Sequence, residues 1–315
     1  MLQMVVVEGK GCNSLNPSKF CAIPLPSHLS NFCDIQELMR IFFFIIFLTI
    51  ATPSTQIVAC TGVFVTQGEA SLVGNNEDYF ARTQTKIFVK PPEGNKYGRL
   101  FFGFGSSTQV YGFGEFNPQG GMNEQGLFFD CFATPPLPVT GSINKQKFKD
   151  HPFEVLLAEC ATVEEVLVKF NDYNLDFMKT FQIFIADKTG RSAIIEGDKI
   201  IRKSGWYQVV TSFYHSKPSL GGYPCKRYEN ACRILESSQD VSVEQVKKIL
   251  EKTHVENINY RGRIIETLYS NIYDLGKGLV YVYYHHDFGN EIVINLKNEF
   301  VKGKRCYDLQ SLFAK

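Results

Sequence analysis

The sequence lacks an excess of charge: 33 Lys and Arg stand against 32 Asp and Glu, leaving +1 over 315 residues. With the signs evenly mixed, a nucleic-acid footprint and a polyanionic partner are both excluded. Its nine cysteines contain no C-x-x-C pair. Besides Cys60, residues 60–315 hold Cys131, Cys160, Cys225, Cys232 and Cys306, an odd set that signals neither a zinc site nor a full disulfide framework, although a single bridge stays open. Histidine is scarce too, and no metal or triad emerges from it. His285-His286-Asp287 follows a strand-like run, where neighbouring side chains point to opposite faces, so joint ligation of a metal is not expected. There is no internal repeat and no low-complexity tract.

What is present is ample apolar material, 44% hydrophobic and 14% aromatic, enough for a buried core in one large domain or two small ones. The most informative segment starts at Met39-Arg40. One basic residue precedes an apolar core of about ten residues, and the polar run from Thr52 to Gln56 then leads to Ile57-Val58-Ala59-Cys60. An apolar stretch this short spans a bilayer poorly, which favours a cleaved signal peptide over residues 39–59. A third reading is a bacterial lipoprotein box, with Cys60 alkylated and lipid-anchored. Cleavage by a signal peptidase after Ala59 makes Cys60 an amino-terminal residue. It then carries a thiol nucleophile and a free α-amine whose reference pKa of about 7.7–8.0 suits a base near neutral pH. Residues 1–38 show no periodic pattern and are expected to be an upstream extension; residues 1–59 together are expected to contribute nothing to the folded enzyme. The product is expected to be secreted or periplasmic.

Strand patterns outnumber helical ones. Gly62 to Thr66, a Gln67-Gly68 turn and Ala70 to Val73 read as a hairpin that begins at Cys60. Gly126 to Asp130, Phe181 to Ala186, Ser192 to Glu196 and Tyr207 to Thr211 continue the pattern, and Gly278 to Tyr284 with Glu291 to Leu296 forms a last pair. Helical period appears at Pro152 to Cys160, Val163 to Phe170 and Val241 to Leu250, the last opening on an Asp240 or Ser242 cap. Strands, helices, strands, helices and strands again predict an α+β layered fold, not a doubly wound parallel sheet.

Residues 60–300 resemble the choloylglycine hydrolase and penicillin V acylase family of amino-terminal-nucleophile (Ntn) hydrolases. The likeness rests on Cys60-Thr61, Gly74-Asn75-Asn76-Glu77-Asp78-Tyr79, Met122-Asn123-Glu124-Gln125-Gly126-Leu127, Ile185-Ala186-Asp187-Lys188, Lys226-Arg227-Tyr228, and Tyr269-Ser270 followed by Gly276-Lys277-Gly278, in the family's order and approximate spacing. It implies a four-layer αββα sandwich of two antiparallel sheets between helix layers, over a domain spanning 60–315. The implied activity is hydrolysis of a linear, non-peptide amide by Cys60, without a cofactor, in a homotetramer. An acyltransferase on the same fold and a lipidated, non-catalytic surface lipoprotein are the alternatives.

Each candidate has a chemical reason. Asp78, eighteen residues after Cys60, can orient the α-amine through a charge-assisted hydrogen bond, whereas Glu77 reads as a solvated loop acid. Arg227 matches an arginine that the family sets against the nucleophile, where a guanidinium favours the thiolate. The sequence departs from the family twice. Asn75 stands where those hydrolases have an arginine near amine and substrate, and Ser212 where they have an asparagine of the oxyanion hole; a second such asparagine has no clear counterpart near Asp130. Asn75 and Ser212 are therefore the candidate oxyanion or substrate-binding residues, while Asn123 reads as a hairpin residue. The expected partner is a small acyl amide with an apolar or aromatic acyl group, because Phe101 to Gly105 and Tyr111 to Phe116 are rich in aromatics.

Overall fold

The computed structural model describes residues 5–8, 60–110, 114–142, 144–223 and 225–314. The export segment at 39–59 and Tyr111 to Phe113 lie outside the described residues.

Two sheets form the centre. The first holds nine strands in the order β1-β10-β9-β8-β7-β6-β5-β4-β16: β1 (Val5–Glu8), β4 (Thr85–Lys90), β5 (Arg99–Val110), β6 (Gly114–Asn123), β7 (Leu127–Ala133), β8 (Phe181–Asp187), β9 (Ser192–Glu196), β10 (Lys199–Arg202) and β16 (Arg305–Asp308). The second runs β11-β2-β3-β13-β14-β15, with β12 beside β13: β2 (Thr61–Gln67), β3 (Ala70–Phe80), β11 (Tyr207–Val210), β12 (Ile258–Tyr260), β13 (Arg263–Asp274), β14 (Leu279–Tyr284) and β15 (Ile292–Asn295). All pairings are antiparallel except β1 with β10. That strand corrects one expectation: Val5 to Glu8 pair with Lys199 to Arg202 and so take part in the fold.

Alternation along the strands builds the layers. Phe64, Phe102, Phe128, Phe132, Phe184, Tyr269 and Tyr273 fill the space between the sheets. Phe101, Phe129, Ile183 and Ile185, on the opposite face of the nine-stranded sheet, pack with α1 (Pro152–Glu159) and α2 (Val163–Asp172). On the far side of the second sheet lie α3 (Lys226–Ser237) and α4 (Val243–Thr253), so the order is helix, sheet, sheet, helix. Local signals set the helix starts: Thr162 accepts from the Glu165 N–H, and Ser242 from the Gln245 N–H. The chain continues past β15 through α5 (Leu296–Val301), β16 and α6 (Leu309–Phe313), which the sequence patterns do not announce. Among the described residues no helix is long and apolar enough to cross a membrane.

The β2–β3 hairpin positions the site. Gln67 pairs with Ala70, so the loop is Gly68-Glu69, and Gly68 takes the left-handed φ of +58° that a two-residue hairpin loop demands. Gly74 is needed for a different reason: a Cβ there would lie 2.4 Å from the Val246 methyl of α4, so its absence lets the helix sit down on the sheet.

Candidate active site

Cys60 immediately precedes β2, buried at 4% exposure among the residues between the two sheets. Thr61 pairs with Asn76 and Gly62 with Asn75, so one step back along the register Cys60 faces Glu77. The Glu77 carboxyl and the Asp78 N–H lie beside its sulfur, close enough to act on its ionisation. Burial first, then the charges of Glu77, Asp78 and Asp130, hold the thiol well above its ordinary pKa. At rest it is a protonated thiol.

Asp78 lies within β3, not in a loop after it, and points to the helix face of the sheet. Arg227, at the start of α3, donates from Nη1 to Asp78 Oδ2 at 2.7 Å, and Thr267 Oγ1 donates to Asp78 Oδ1 at 2.5 Å. Thr267 is itself held, because its Oγ1 accepts the Val255 N–H at 2.8 Å. Burial pushes the Asp78 carboxyl up to about 6 even though Arg227 and Thr267 pull it down. A second guanidinium nitrogen, Nη2, reaches Ser212 Oγ at 3.4 Å. Val210 pairs with Gly62, which brings Ser212, two residues later, to the Cys60 end of β2. Gln182 of β8 fixes that segment by donating to the carbonyls of Thr211 (2.6 Å) and Phe213 (3.2 Å).

The structure therefore brings Cys60, Asp78, Arg227 and Ser212 together, with Asn75 donating to Glu77 Oε2 at 3.4 Å. Arg227 reaches Asp78 and Ser212, and the charge it lends to a thiol goes to Cys225. Asn76 serves the fold: it donates to Leu250 O and Thr253 Oγ1 and accepts from Ser270. Asn123 likewise closes the β6–β7 hairpin, accepting from the N–H groups of Gln125 and Leu127 and tying down α1 through Leu157 O and Cys160 O.

Three participants escape the sequence reading. Glu77 is buried between the sheets, not solvated, and burial, with the adjacent Asp78 charge, pushes its carboxyl up to about 8. Asp130 of β7 is buried too; burial and the Glu77 charge raise it, while Oδ1 accepts the Cys131 N–H at 2.7 Å. Cys225 stands just before α3: burial works against its ionisation, but the Arg227 charge and the first N–H groups of the helix bring the thiol below its ordinary value. Strand alternation was the available signal for Glu77, since Cys60 and its register partner must share a face. Among the described residues no group of three or more His, Cys, Asp or Glu is placed to hold a metal. Cavities of 540, 780 and 330 Å³ are lined by other residues.

No family model matches the sequence, and no curated protein matches it. Solved structures do. A cysteine-to-alanine mutant of conjugated bile acid hydrolase from Clostridium perfringens superposes with a TM-score of 0.58 at 17% identity, covering 79% of this chain and 95% of that one. An arginine-to-leucine variant of the same enzyme gives 0.59 at 18%, covering 79% and 96%. Penicillin V acylase from Agrobacterium tumefaciens gives 0.55 at 17%, covering 76% and 86%. The chain has their Ntn-hydrolase fold. The αββα layering expected from the resemblance is thereby shown, and the Ntn-hydrolase fold here carries a cysteine, a clasped aspartate, an arginine and a serine at one end of β2.

Proposed function

We propose that the chain is an amide hydrolase that uses Cys60 as its nucleophile once cleavage after Ala59 frees the Cys60 amine. The supporting observation is the convergence of Cys60, Asp78, Arg227 and Ser212 at one strand end. The resting thiol is protonated, so a base must take its proton, and a freed α-amine on the same residue, with a reference pKa of about 7.7–8.0, is such a base. Asp78, held by Arg227 and Thr267, steadies that amine as an ammonium. The thiolate adds to the amide carbonyl. Ser212 Oγ accepts from Arg227 and so keeps its own hydrogen for the developing oxyanion, a contribution on the order of 3 kcal/mol for one well-aimed donor. The ammonium then protonates the departing amine, and water, deprotonated by the same α-amine, hydrolyses the thioester.

The fold neighbours are described as acting on conjugated bile acids and penicillin V, which supports a linear amide with an apolar or aromatic acyl group. Burial of the Cys60 sulfur between two sheets counts against lipid attachment there. Export through the segment at 39–59, to the periplasm or medium, completes the proposal.

The test is Cys60→Ala, assayed on a panel of phenylacetyl, phenoxyacetyl and bile-acid amides, together with intact mass of the exported protein. The proposal expects a mass beginning at an unmodified Cys60 and loss of hydrolysis in the variant. Undiminished hydrolysis by Cys60→Ala, or an active protein whose chain is uncleaved at Ala59, overturns it.

A further inference from the structure

The Cys60 sulfur has a second carboxyl beside it, one that the proposed mechanism does not use. Glu77 meets the thiol from the adjacent strand, on the inter-sheet face, while Asp78 faces the helices. Its other neighbours are polar groups set in an otherwise apolar layer. Asn75 donates to Oε2; Tyr269 is its register partner on β13; Tyr273 and Asn271, joined by a 3.0 Å hydrogen bond, lie further along that strand. Asp130 and Cys131 approach from β7 of the opposite sheet, close enough to feel the Glu77 charge. Among the described residues the nearby cation, Arg227, is engaged on the other face with Asp78. An acid so placed cannot be balanced by a counter-charge, and burying it ionised would cost several kcal/mol. It remains in the layer as a neutral carboxyl, which is a hydrogen-bond donor. The Tyr269 hydroxyl and Asn75 Oδ1 have no protein partner, so this island is polar beyond what packing requires.

We propose that Glu77 is a further catalytic residue of the Cys60 centre, a neutral acid whose O–H hydrogen-bonds the sulfur as it becomes a thiolate. This rests on Cys60 being the nucleophile. The proton balance is simple: the α-amine takes the thiol proton, and Glu77 keeps its own throughout. When Glu77 ionises, its donor is lost and its charge opposes the thiolate, so the centre switches off from the alkaline side. Burial and the adjacent Asp78 place that ionisation at about 8. The Asp130 carboxyl and the Tyr269 and Tyr273 phenols, which face the same layer, are raised as well, by burial first and then by the Glu77 charge and one another.

The experiment follows Cys60 itself, so it needs no amide substrate. The exported protein that begins at Cys60, with its Glu77→Gln and Glu77→Leu variants, is alkylated with iodoacetamide from pH 6 to 9.5, and the Cys60 peptide is quantified by mass spectrometry against the exposed Cys306 peptide. Gln keeps a donor and cannot ionise. At pH 9 the Gln variant should therefore react at Cys60 about tenfold faster than wild type, one pKa unit of thiol acidity, and within about twofold of it at pH 6. The Leu variant, lacking the donor, should be slower than Gln throughout. Parallel profiles for wild type and Gln overturn the proposal, and because Gln preserves shape and polarity this holds even if Leu fails to fold. A shifted profile in a protein that hydrolyses no amide leaves the Glu77 assignment standing and removes only the substrate reading.

Discussion

The two faces of β3 treat two adjacent acids in opposite ways. Asp78 turns toward the helices and meets a guanidinium and a hydroxyl; Glu77 turns toward the other sheet, beside a thiol and an amide and opposite Tyr269. Both are buried and both are raised, to about 6 and about 8. The difference lies in what balances the charge. Asp78 is compensated by an arginine and is an anion at neutral pH, whereas Glu77 is compensated by its own proton. One residue of register thus separates an ion pair from a neutral acid.

Removing the cation should break this contrast with the largest effect. Arg227→Ala leaves a buried carboxylate unpaired and should cost about 3–5 kcal/mol of stability at pH 8, measured by urea denaturation, with much of the loss recovered at pH 5 where Asp78 takes up a proton. A loss below about 1 kcal/mol would show that water reaches Asp78.

The second effect is on the pH dependence of wild-type stability. Both acids have folded pKa values above their unfolded ones, so the native state binds more protons and stability falls as pH rises. Asp78 contributes that fall between about 4 and 6, and Glu77 between about 4.5 and 8. Unfolding free energies from urea denaturation at pH 5 and pH 8 should differ by a few kcal/mol, and Glu77→Gln should remove the slope above about pH 6 and lessen it below, where Asp78 still titrates. A slope unchanged in the Gln variant would place its origin elsewhere.

The smallest change sharpens the helix face alone. Thr267→Val removes a hydrogen bond to Asp78 and leaves the Val255 N–H unpaired, at a cost of about 1–3 kcal/mol. It should also move the Asp78 titration upward, readable by NMR of the carboxyl carbon.

Most of the layer architecture was legible, because strand alternation and capped amphipathic helices are local signals; Ser242, one of the two caps offered for its helix, is the one used. The residues that a motif marked in the chain, Cys60, Asp78 and Arg227, are ones the fold brings together. Glu77 was not legible, for a reason of register. A Gln67-Gly68 turn sets Asn75 opposite Cys60, but the loop is Gly68-Glu69, which sets Glu77 there. A shift of one position in the loop exchanges the residue that touches the thiol. Thr267 and Gln182 carry no sequence signal, since their roles depend on contacts with Asp78 and Thr211 far away in the chain.

The cap of α3 has a practical consequence. Cys225 is the thiol that the start of the helix and the Arg227 guanidinium favour as an anion, while Cys60 is held protonated. A maleimide or disulfide reagent applied to the whole protein will report on the exposed Cys306 and, where it reaches the buried Cys225, on a thiol easier to ionise than Cys60. Inactivation by such a reagent identifies the nucleophile only if the modified peptide is read, and an adduct on Cys225, two residues from Arg227, would disturb the site from outside it.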